Sequence, residues 1–151
     1  MKTDGAAAVS SLVRWRAFRE ALAARDRDAA AAAVRAAETR RDAAEDAAAA
    51  IARRRETVLS APHLDLSLLQ AVATFETRAF DDLTACSEAL AERVRTHADA
   101  RDAQRRARAD VRVAESRRDR LLAEAADGEE KRLFDRMASL MSAANGAPSD
   151  D

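Results

Sequence analysis

Apolar residues recur at sevenfold spacing through the first third of the chain, at Ala23, Ala30, Ala37, Ala44, Ile51 and Val58. A second row completes an approximate heptad, at either Ala33 and Ala47 or Val34 and Ala48. Arg35, Glu38, Arg41, Asp42, Glu45 and Asp46 lie between the rows and solvate the outer face. This pattern predicts a first helix over about residues 9–60, with Ser10 or Ser11 as its cap. In the second half, Phe80, Leu83, Leu90, Val94, His97, Gln104, Val111 and Leu122 trace a similar seam. They predict a second helix over about residues 67–142.

The stretch SAPHLDLSLLQ, from Ser60 to Gln70, interrupts this regularity. Pro62 disfavours helical geometry at Ala61. Asp65 or Ser67 can cap the following helix. An elbow over residues 61–66 makes the two helices antiparallel neighbours. The expected fold is all-α: a long antiparallel two-helix coiled-coil hairpin with a longer second helix, occupying residues 9–143 as one domain. Residues 1–8 and 144–151 read as disordered tails.

A fold-back near His63 pairs residues whose numbers add to about 126, because both helices share one rise per residue. Ile51 then faces the neighbourhood of Phe75, and Leu12 that of Ala114. Helix 2 outlasts helix 1 beyond Arg117, by roughly 25 residues, or ~38 Å if helical. The overhang carries Leu121, Leu122, Leu133, Phe134, Met137, Leu140 and Met141, which call for burial on another chain. Gly128 either interrupts this helix, with Asp127 capping a separate short one, or is spanned by it.

Composition narrows the function. The chain is 48% hydrophobic but mostly through alanine, with 3% aromatic and 35% charged residues, which suits a long helix and not a bulky core. No apolar run matches a bilayer span and no signal-peptide pattern is present, so the expectation is a cytoplasmic protein without direct membrane insertion. His63 and His97 are the only histidines, far apart in the expected hairpin, and Cys86 is the only cysteine. His97 reads as a packing residue, His63 as solvated and Cys86 as a small buried group. These residues supply neither a catalytic set nor a metal site, and no Gly-rich phosphate loop exists. The expectation is a non-enzyme with no cofactor.

Arg101–Arg120 is the densest basic stretch. Asp102, Asp110, Glu115 and Asp119 are interspersed, and no aromatic residue lies within it for base stacking. It therefore reads as a solvated face or a contact for an acidic or polar protein surface, with no nucleic-acid partner.

The closing EEKRLFDRMASL, from Glu129, and LLQAVATFETRAFDDL, from Leu68, on a hairpin of this length, resemble the FliJ/YscO-type central stalk of type III secretion and flagellar export ATPases. The resemblance implies a hairpin similar to the rotor stalk of F1-type ATPases. Its terminal end enters the pore of a hexameric ATPase ring, and its elbow faces the membrane export gate. By that resemblance Arg117, Arg118, Arg120, Lys131, Arg132, Leu133, Phe134 and Met137 would face the ring. Leu66, Leu69, Phe75, Phe80 and Leu83 would face the gate, through either phenylalanine. It further implies secretion chaperones as partners, ATPase activation as the role, and a cytoplasmic location peripheral to the inner-membrane apparatus. A generic coiled-coil scaffold is the main alternative, and a nucleic-acid-binding helical protein a lesser one.

Overall fold

The computed structural model describes residues 2–145, with solvent exposure described at Gly5 and from Ala7 to Ser142. Two helices account for almost all of it: α1, Lys2–Leu59, and α2, Leu66–Asn145. They pack against each other as an all-α hairpin. The chain divides into two compact units: Leu22–Arg105, which contains the elbow, and Met1–Ala21 with Arg106–Asp151.

The elbow forms as its residues dictate. At the end of α1 the Ser60 amide and hydroxyl both donate to the Glu56 carbonyl, at 3.0 and 2.8 Å. The helix stops there, ahead of Pro62. At the start of α2, Asp65 Oδ1 accepts from the Leu68 amide at 3.0 Å, so Asp65, and not Ser67, is the cap.

In the elbow-containing unit, α1 buries or half-buries Ala23, Ala30, Ala37, Ala44, Ile51 and Val58, the row the sequence displays. The second row is Arg27, Val34, Arg41 and Ala48; Ala47 is exposed. On α2 one row is Leu69, Glu76, Leu83, Leu90, His97 and Gln104. The other is Val72, Ala79, Cys86 and Ala100, with Arg93 at the same phase but exposed. Phe80 and Val94 are exposed, contrary to the sequence expectation. Each sits one residue past a seam position. The small Ala79 occupies the seam position at 8% exposure and the adjacent Phe80 stays outside at 55%. The cross-helix contacts give the register: Arg27 with Gln104 and Arg55 with Glu76, each pair of numbers adding to 131.

In the other unit, Val13 and Ala114 are the buried pair, Ala114 at only 2% exposure. Arg16 Nη1 donates to the Asp110 carbonyl at 2.8 Å, numbers adding to 126; in the elbow-containing unit the sum of 131 departs from the expected 126, so Ile51 lies nearer the level of Ala79 and Phe80 than that of the exposed Phe75. Val9, Arg16, Glu20, Ala107, Val111, Arg118, Leu121, Ala125 and Gly128 are half-buried at continuing heptad positions. Leu122, one past Leu121, is exposed.

Two boundaries differ from expectation. α1 begins at Lys2 and not Val9, so Ser11 is no cap: its hydroxyl donates to the Ala7 carbonyl within the helix. The longer α1 covers more of α2, and half-burial lasts to Gly128 and not merely to Arg117. The uncovered part of α2 thus starts at Glu129. Second, α2 runs unbroken through Gly128, so Asp127 caps nothing separate. The expected C-terminal tail lies outside the described residues from position 146 on.

Candidate protein-docking surfaces

The buried core consists of three valines and three alanines, and among the described residues no large side chain is fully buried. The bulkiest apolar groups lie elsewhere. At the elbow Leu59, Leu64, Leu66 and Leu68 are exposed, as are Phe75 and Phe80 along the first turns of α2. Leu66 is 70% exposed. Phe75 and Phe80 fall on the two flanks of the α2 seam, not on one stripe. Leu69 and Leu83 differ from the other gate-facing candidates: both are half-buried seam residues, committed to α1.

The terminal segment Glu129–Ser142 is exposed at every residue. Its seam phase continues through Arg132, Asp135, Ser139 and Ser142, all polar. Leu133, Phe134, Met137, Leu140 and Met141 recur at helical spacing three and four residues apart. At ~100° per residue this stripe lies on roughly the opposite side of α2 from the seam. The overhang is therefore no unfinished piece of the hairpin; its apolar face is aimed away from the line that α1 follows. Leu121, expected to belong with these residues, is half-buried and belongs to the seam.

The ring-facing basic candidates divide as well. Arg117, Lys131 and Arg132 are exposed. Arg118 is half-buried and pairs with Asp119 at 2.8 Å, while Arg120 Nε reaches the Ser116 carbonyl at 3.4 Å.

Sequence reasoning missed Trp15 and Phe18. They are 54% and 61% exposed, on the outer side of α1, and the Arg19 guanidinium lies 5.0 Å from the centre of the Trp15 ring. The signal is the run RWRAFRE, whose aromatic residues fall between the apolar rows. Also missed were the long polar seam members Arg16, Glu20, Arg27, Arg41 and Glu76, which lay their aliphatic stems along the interface.

His97 is half-buried in the seam and His63 is exposed; Cys86 is half-buried. Among the described residues no group of three or more His, Cys, Asp or Glu side chains gathers. No helix there is long and apolar enough to cross a membrane. A groove of about 480 Å³ forms an alanine trough beside Cys86, bordered by Arg40 and Arg93. Comparison with known proteins returns no matching family model, no matching curated protein and no matching solved structure.

Proposed function

We propose that the chain is a non-enzymatic central stalk of a type III secretion ATPase complex. Its terminal segment enters the hexameric ATPase ring, its elbow contacts the cytoplasmic domain of the export gate, and its role is to support ATPase activation and export. The observation that carries this is the distribution of bulk. Leu133, Phe134 and Met137 at the terminal segment, and Leu66, Phe75 and Phe80 by the elbow, are exposed, while among the described residues no large side chain is fully buried between the helices. Two exposed apolar surfaces ask for two partners, as a linker between a ring and a gate does. The resemblance of EEKRLFDRMASL and of the elbow region to FliJ/YscO-type stalks supplies the identity of those partners. Exposed ion pairs along the helices, such as Arg95–Glu92 and Arg105–Asp102, are each worth ~0–1 kcal/mol and exchange readily, which suits distributed contacts inside a pore. A stalk of this kind works on the cytoplasmic side of the inner membrane, with secretion chaperones as further partners.

Co-purification with the hexameric secretion ATPase tests this. Wild type should bind and stimulate ATP hydrolysis, and Phe134→Ala/Met137→Ala should lose at least tenfold in stimulation. Unchanged stimulation discards the terminal segment as the docking element; absence of binding discards the stalk. The alternative, a generic coiled-coil scaffold, predicts an obligate dimer by sedimentation at micromolar concentration, where a stalk is a monomeric hairpin.

A further inference from the structure

The fold brings together what the sequence keeps almost a hundred residues apart. Heptad phase places Trp15 and Arg19 on one flank of α1, with Phe18 beside them on the outer face. The same flank of α2, at the level fixed by the Arg16–Asp110 contact, carries Arg106, Val113 and Arg117. Val113 is 63% exposed and borders a cleft with Arg117, Arg120, Leu121 and Glu124. Asp110 is the one acidic residue at the centre of this flank, and Glu124 closes its far end. Arg19 is already ordered on the Trp15 ring. Among the described residues Arg106 and Arg117 make no ion pair; the neighbouring Asp119 is taken by Arg118.

We propose that Trp15, Phe18 and Val113, framed by Arg19, Arg106 and Arg117, form a third docking surface, separate from the elbow and the terminal stripe, for an acidic protein surface with an apolar centre. Charge complementarity selects the occupant: Arg19, Arg106, Arg117 and Arg120 outnumber the two acids of the flank, Asp110 and Glu124. The composition is that of interface anchors, in which Trp and Arg are the enriched types. Asp110 and Glu124 count against a polyphosphate chain, which every acid on the flank would repel. Two aromatic rings on a rigid helix are also too small an apolar face to sink into a bilayer. The identity of the partner, though not the patch, rests on the stalk proposal above: the occupant is the ATPase ring.

Trp15 is the only tryptophan, so its emission reports on this patch alone. Full-length chain is titrated with the purified secretion ATPase, with a single-stranded thymidine oligomer and with phosphatidylglycerol vesicles. Expected is a blue shift with the ATPase only, persisting in Phe134→Ala/Met137→Ala at saturating ATPase, and an affinity at least tenfold weaker for Arg106→Glu/Arg117→Glu. Those exposed charge reversals should leave the helical circular dichroism unchanged. Binding of the ATPase with no Trp15 shift, or with full affinity in the charge-reversed variant, overturns the patch and leaves the stalk standing. A larger shift with the oligomer or the vesicles also overturns it. No ATPase binding at all overturns the stalk and this assignment with it.

Discussion

Arg27 Nη1 donates to Gln104 Oε1 at 2.8 Å across the seam, a polar clasp between otherwise small residues. Arg27 also holds Asp28 at 2.6 Å, so its guanidinium is fixed from two sides. Alanines at close spacing slide past one another with little penalty; a clasp of defined partners does not. Gln104→Ala should lower stability by ~1 kcal/mol in urea unfolding. It should also broaden the distance distribution between spin labels at positions 30 and 96. Gln104→Leu should recover the stability without recovering the narrow distribution.

The phase of the seam is testable with neighbouring residues. Leu83 is half-buried and Phe80 is 55% exposed. Leu83→Ala should cost ~2 kcal/mol, while Phe80→Ala should stay within ~0.5 kcal/mol despite deleting the larger group. Thermal unfolding of the two variants side by side decides it. Equal losses would mean that the rows are displaced by one residue.

Close approach at the other unit makes the opposite change harmful. Ala114 is 2% exposed. Ala114→Leu, which adds hydrophobic mass to a chain short of it, should destabilise by ~1–3 kcal/mol through overpacking. A stabilised variant would show that the helices have room to part.

Gly128 lies inside α2 with helical geometry, no positive φ, and nothing within 4 Å of where a Cβ would stand. Gly128→Ala should therefore stabilise that part of the helix by ~1 kcal/mol. The check is slower amide hydrogen exchange between residues 124 and 132.

Asp65 is the cap of α2 through the Leu68 amide. Asp65→Ala should cost ~0.5–2 kcal/mol and Ser67→Ala almost nothing. Chemical denaturation of both variants separates the two capping candidates that the sequence offers.

Much of this architecture was decided by the chain alone. A single internal proline, bracketed by Ser60 and Asp65, breaks a sequence in which nearly every other residue favours helix, so one elbow and two helices follow from local preference. The α1 row from Ala23 to Val58 was legible because charged residues recur between its members and never fall on the row itself. The matching α2 row of Val72, Ala79, Cys86, Ala100, Ala107 and Ala114 was not. Alanine is equally common on the outside of this chain, and an interface that selects small residues leaves no hydrophobicity contrast to read. Half-burial of Arg27 and Glu76 was illegible for another reason: a charged residue reads as solvent-facing, yet these two find partners on the facing helix in Gln104 and Arg55. Only the paired helices decide that Phe80, Val94 and Leu122 stay outside, and that Trp15 shares a flank with Val113. They decide too that the apolar stripe of the terminal segment faces away from the seam. Local preference acts through neighbours along the chain, whereas phase, register and shared faces depend on how closely two distant segments can approach.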